Sequence, residues 1–174
     1  KQSLRLLALE QPMAKDLRMI IGNMKISNEL ERIADQAVNI AERTIFLCQH
    51  PPLEKTSAME SLIETSRQML KQAIMSFRDM DVQTAREIRR MDDQADESTV
   101  QVLKSLIELI VADAPAIDSR RIKTRRSIQT IIISRCMERV ADLSTNIGEQ
   151  VIFIAEGLNI KHQELREEDP GSSQ

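Results

Sequence analysis

Two stretches of the chain carry the same carboxylates at the same spacing. Glu31-Arg32-Ile33-Ala34-Asp35 reappears as Glu138-Arg139-Val140-Ala141-Asp142, Asn39-Ile40 as Asn146-Ile147, and Glu42 as Glu149. On a helix, acidic residues at i and i+4 stand one above the other and can share a cation. Ligation by oxygen alone suits hard ions such as Mg2+, Mn2+, Ca2+ or oxidised iron. The alternative is a solvated helix face, and the Arg beside each Glu (Arg32, Arg139) could neutralise it without metal. That Arg lies about 100° round the helix, which also suits a bond to a neighbouring helix. Two copies in register narrow the alternative without removing it.

The helices that carry these motifs are set by breakers. Pro12 suits a first helical turn, where its missing N–H costs nothing. Gln49-His50-Pro51-Pro52 reads as a loop, and Asp79-Met80-Asp81 as a tight turn with Asp81 an N-cap. Ala114-Pro115-Ala116 closes another helix, and Asp118 or Ser119 caps the next. The pattern predicts helices over about 12–48, 53–78, 81–112 and 118–156. The sequence opens on Lys1 with Leu4, Leu6, Leu7 and Leu9 close behind, read as the end of a helix that begins upstream, so the chain is expected to be a fragment. Residues 161–174 are expected to be a polar tail, disordered from Glu167 onward. Long helices with short joins predict an antiparallel bundle.

Ile26, Leu30, Ile33, Ala37, Ile40, Thr44 and Leu47 form a seam at alternating three- and four-residue steps. An offset of 107 residues carries that seam onto Ile133, Met137, Val140, Ser144, Ile147, Val151 and Ile154, the mark of an internal duplication. Asn28, Glu31, Asp35, Asn39 and Glu42 fall on the face opposite the first seam. Arg135, Glu138, Asp142, Asn146 and Glu149 do so in the second copy. Leu17, Met24 and Ile131 lie upstream on these faces, so each acidic patch continues an apolar stripe.

Composition agrees with an all-α class. Aromatics are 2% of the 174 residues, and no glycine lies between Gly22 and Gly148, which leaves little for strands or phosphate-cradling loops. A net charge of −3 gives no reason to expect nucleic acid. Cys48 and Cys136 are isolated and form neither a disulfide framework nor a thiolate metal site. A reducing cytoplasmic setting is expected. No apolar run reaches transmembrane length. The two histidines, His50 and His162, do not supply the Glu-x-x-His pairs of ferritin-like di-metal oxidases. With no nucleophile–base pair and no nucleotide loop, no enzymatic activity is expected.

The stretch from Gln11 to Arg18, with Asn28-Glu29-Leu30-Glu31-Arg32-Ile33-Ala34-Asp35 and Asn39-Ile40-Ala41-Glu42, resembles the signature of the PhoU family. The copy at Glu138–Asp142 with Asn146-Ile147 resembles the family's second repeat. The resemblance covers about residues 1–160. It implies two tandem three-helix repeats with the first incomplete. Residues 1–50 would be a remnant of the first repeat, and 51–160 the complete second. It also implies metal at Glu/Asp-x-x-x-Asp motifs and an acidic motif on the preceding helix, here Asp92-Asp93-Gln94-Ala95-Asp96. Asp92 and Asp96 flank a stripe of Ile88, Ala95, Thr99, Val102 and Leu106 and so face a neighbouring helix.

The metal residues are therefore expected to be Glu31, Asp35, Asp92, Asp96, Glu138 and Asp142, with iron, zinc, manganese or magnesium as the ion. Asp92, Asp96, Glu138 and Asp142 would make one oxygen site. The partners implied are the ATPase subunit of a phosphate ABC transporter and a sensor histidine kinase, with the membrane met only through them. A homodimer or swapped pair is expected to cover Ile33, Ile40 and Leu47. Arg120, Arg121, Lys123, Arg125 and Arg126 open a helix, where positive charge opposes the dipole, and are expected to dock an acidic partner. The alternatives are a PhoU-like domain of another phosphate or ion transporter, and a helical interaction module without metal.

Overall fold

The computed structural model describes residues 5, 7, 9, 12–51, 53, 56–112 and 117–158. Among them the regular elements are α1 (Ala14–Cys48), α2 (Ser57–Asp79), α3 (Val82–Val111) and α4 (Ile117–Glu156). The 161–174 tail, Pro52 and the Ala114-Pro115-Ala116 breaker lie outside the described residues, as does most of the 1–10 remnant, of which Arg5, Leu7 and Leu9 are helical.

Local chemistry sets most boundaries where the sequence places them. The Thr56 hydroxyl accepts from Met59 N at 3.2 Å and opens α2. Met80 ends α2 in the left-handed conformation (φ 52°), and Asp81 N then donates to Ser76 O at 2.9 Å. Asp81 accepts from Gln83 N and Thr84 N through Oδ1 and from the Thr84 hydroxyl through Oδ2, capping α3. Three expectations are corrected. α2 begins at Ser57, after its Thr56 cap, and not near 53. Pro12 precedes α1, which begins at Ala14 after Met13. Asp118 is not a cap but lies in the first turn of α4, which begins at Ile117.

The turn at Met80 folds α3 back on α2, and α4 packs against both. α1 packs on α4 alone among these elements. It runs antiparallel to α4, because Gly22 meets Ile154, Arg18 meets Gly157, and Arg125 lies over Phe46. As the central helix, α4 is buried on several faces. Val140, Ala141, Leu143, Ser144, Ile147, Val151, Ile152 and Ile154 are all buried. The apolar ones form one core with Ile26 and Ile33 of α1, Leu62 and Met69 of α2, and Ile88 and Ala95 of α3. Serine and threonine hydroxyls at tight helix contacts bond back into their own helices, as Ser66 does to Leu62 O and Ser144 to Val140 O, both at 2.7 Å.

The seam expected on α4 is the one observed, whereas that on α1 is rotated. Ile26 and Ile33 are buried, but Leu30, Ala37 and Thr44 are exposed. Glu29, Gln36 and Arg43 are half-buried in their place. A helix covered by one neighbour turns a narrow face inward, and polar stems serve on its flanks. Ile33, expected to need a partner from outside, is 8% exposed within this chain.

Candidate metal centre

Among the described residues, the second acidic motif meets a facing helix and the first does not. Asp92 of α3 and Asp142 and Glu138 of α4 are half-buried, and Asp96 is exposed beside them. Glu31 and Asp35 stand exposed on α1. Burial, then the charges of Asp142 and Asp96, push Asp92 from its ordinary 3.8 up to about 6, partly offset by the Thr145 hydroxyl. Asp142 is also raised, by burial and then by Glu138 and Asp96, against the pull of Arg139. Asp96 is raised by burial, Glu138 and Asp93, against Arg135. The four carboxylates thus feel one another across the α3–α4 seam.

The cation that Glu138 holds is Arg135, at 2.8 Å, and not the adjacent Arg139. In the first copy Arg32 pairs with Glu29, again not with the motif's own Glu31. Asp92 Oδ1 is buried without a hydrogen-bond partner among the described residues. A carboxylate oxygen so placed, within an all-oxygen acidic set, is the feature a hard cation would satisfy. As the side chains stand, no group of three or more His, Cys, Asp or Glu that could hold a metal ion is gathered among the described residues.

Gly148 holds this seam close. A Cβ there would come 3.0 Å from Ala85 O of α3. Of the basic cluster, Arg120, Arg121 and Arg125 are exposed, but Arg126 is only 8% exposed. The expectation that Arg126 docks a partner is therefore corrected: one residue is 100° of helix, enough to turn it inward beside outward Arg125. Sequence reasoning also missed the inward polar set Glu29, Gln36 and Arg43. Their three- and four-residue alternation with Gly22, Ile26, Ile33 and Ile40 was the available signal.

No helix among the described residues is long and apolar enough to cross a membrane. A family model described as the PhoU domain matches residues 1–44 and 59–151. The phosphate-specific transport system accessory protein PhoU homolog of Aquifex aeolicus is 36% identical over 167 residues, covering 96% of this chain and 72% of that protein. The protein of the same description in Xylella fastidiosa is 32% identical over 151 residues, covering 87% of this chain and 61% of that protein. The chain thus spans less than two thirds of the second relative's length. The crystal structure of PhoU from Pseudomonas aeruginosa superposes with a TM-score of 0.79 at 28% identity, covering 90% of this chain and 72% of that one. The phosphate transport system regulatory protein PhoU from Streptococcus pneumoniae superposes with a TM-score of 0.73 at 26% identity, covering 91% and 70%.

Proposed function

The chain belongs to the PhoU family, and from that footing we propose that it is an accessory regulator of phosphate uptake that acts by binding, without chemical turnover. The observation that carries this reading is the duplicated acidic motif whose second copy lies against the carboxylates of α3. The descriptions of its relatives as transport-system accessory proteins support the same role. In this reading the protein is cytoplasmic, meets the transporter through its ATPase subunit, and links it to the sensor histidine kinase. Signalling is repressed while phosphate is plentiful. Deleting the gene should leave a phosphate-responsive reporter switched on in phosphate-rich medium. A reporter that stays repressed would overturn the reading.

Metal belongs to the same proposal. Asp92, Asp96, Glu138 and Asp142 would hold a divalent or trivalent cation, with iron, zinc, manganese and magnesium the ions to test. The cation would supply positive charge where four carboxylates now repel. Glu31 and Asp35 would form a second site once a helix from outside the described residues faces them. A metal-free interaction module is the second reading, and the Arg135–Glu138 pair favours it by occupying one ligand.

Two further outcomes follow. Docking through the exposed face of α4 predicts that Arg121→Glu with Arg125→Glu slows association with the ATPase subunit about tenfold at low salt, with little change in dissociation. Surface plasmon resonance over a salt series would measure it, and salt-independent binding that survives both changes would exclude this face. Homodimer formation has a candidate surface in α1, where Val38 and Ile45 are 58% and 65% exposed on one stripe with Leu17 and Met24. Val38→Lys with Ile45→Lys should convert a dimer to monomer in analytical ultracentrifugation. An unchanged sedimentation coefficient would rule that stripe out.

A further inference from the structure

A cavity of about 550 Å³ opens where the end of α1, the start of α2, the end of α3 and the early turns of α4 converge. That volume lies in the range of small-molecule sites, roughly 300–1,000 Å³. Its walls are chiefly Leu47, Leu53, Met59, Ile63, Val102 and Leu106. One buried charge faces this apolar lining: Arg126, 8% exposed, with its Nε buried and unpartnered among the described residues. A guanidinium cannot shed its charge, so burial without a counter-ion is costly. The rim carboxylate Glu60 has an interaction of its own. Thr130 spends its hydroxyl proton on the Arg126 carbonyl at 3.1 Å, and so presents an acceptor rather than a donor.

Beside the polar groups of His50 and Thr56, the lining therefore offers one permanently charged fork and a long apolar wall. Inorganic phosphate would exchange its hydration for a lining that is mostly apolar. A carboxylate matches a guanidinium fork with two parallel hydrogen bonds and needs little else. We propose that this cavity binds an amphipathic monocarboxylate, with its head on Arg126 and its unbranched alkyl chain along Leu53, Met59, Val102 and Leu106. The site lies at the opposite end of α3 from the Ala85–Gly148 contact and uses none of the metal-centre carboxylates. Its test is therefore independent of the phosphate-regulator reading.

The experiment is calorimetric titration of the full chain with decanoate, octanoate, decanol and inorganic phosphate. Alkylation of Cys48, an exposed thiol in the cavity wall, is followed alongside that of buried Cys136. Decanoate should bind saturably at one site. Octanoate should be weaker by roughly fifteenfold, since each methylene contributes about fourfold. Decanol should bind at least tenfold more weakly, and phosphate should not compete. Arg126→Gln should weaken decanoate at least tenfold and leave decanol unchanged. Bound decanoate should slow Cys48 alkylation severalfold and leave Cys136 unaffected. The proposal is overturned if decanoate does not bind, if decanol binds equally well, if phosphate competes, or if folded Arg126→Gln binds decanoate normally. Should that variant fail to fold, Ile63→Trp fills the cavity and keeps the charge, and undiminished decanoate binding by it would be equally decisive.

Discussion

Ile154→Ala should lower the unfolding free energy by about 3 kcal/mol, and it should reverse the effect of a second substitution on another helix. Ile154 is 1% exposed, and truncating a buried isoleucine costs about 2–5 kcal/mol through lost transfer energy and a residual cavity. Across the α1–α4 contact it fills the space that a Cβ on Gly22 would need. Gly22→Ala alone should therefore destabilise by about 1 kcal/mol, because overpacking at about 1–3 kcal/mol outweighs a helix-propensity gain of about 1 kcal/mol. In the Ile154→Ala background the overlap is gone and only the propensity gain remains, so the same substitution should stabilise. Urea unfolding followed by far-UV circular dichroism suits a chain without Trp or Tyr. Equal effects of Gly22→Ala in both backgrounds would show that the two side chains do not share this space. Because α1 packs on α4 alone among the described elements, this contact helps hold the first motif's helix in place.

Asp92→Asn should stabilise the metal-free protein at neutral pH and weaken its response to cations. In the folded protein Asp92 keeps its proton up to about 6, against 3.8 ordinarily, so folding takes up a proton between those values. Stability therefore falls as pH rises through that window. The penalty is absent below it and complete above it. Asp96 and Asp142, also raised, add to the slope in the same direction. For a half-buried group the effect at pH 7 is about 1–2 kcal/mol once solvent screening is allowed for.

A cation bound by this seam works against that penalty. At one hundred times its dissociation constant it should stabilise the wild type by about 2.7 kcal/mol. Asp92→Asn, Asp96→Ala and Asp142→Ala should each reduce bound metal after equilibrium dialysis. Metal content and thermal shifts equal to wild type in all three would reject the centre, and a flat stability profile from pH 4 to 7 would reject the coupling itself.

Helix identity and the duplication were legible because both rest on local rules. Asp81 is read as a cap from its place before a periodic run, and the structure shows it accepting from Gln83 N and Thr84 N. The register of 107 residues needs no third dimension to be seen. On α4 the apolar periodicity also identified the buried seam through Ile133, Val140, Ile147, Val151 and Ile154, while neighbours on further sides bury Ala141, Leu143 and Ile152 outside it.

The candidate site was only half legible. Spacing puts Glu31 with Asp35 and Glu138 with Asp142 on equivalent faces of equivalent helices, and nothing in either motif distinguishes them. Their difference comes from α3, which brings Asp92 and Asp96 against the second copy and leaves the first exposed among the described residues. The same holds for Arg125 and Arg126, neighbours in one basic run. The first lies over Phe46 and the second closes an apolar cavity.

Local rules reveal which residues share a helix face, where most helices end, and that one helix is a copy of another. The resemblance pointed to Asp92 and Asp96 as neighbours of the second copy, but how deeply each face is buried follows from the packing of whole helices. Helical periodicity fixes angles about one axis, whereas burial, charge coupling and cavities depend on where a second axis lies. That placement is set by close contacts such as Gly22 on Ile154 and Gly148 on Ala85, between residues far apart in the chain.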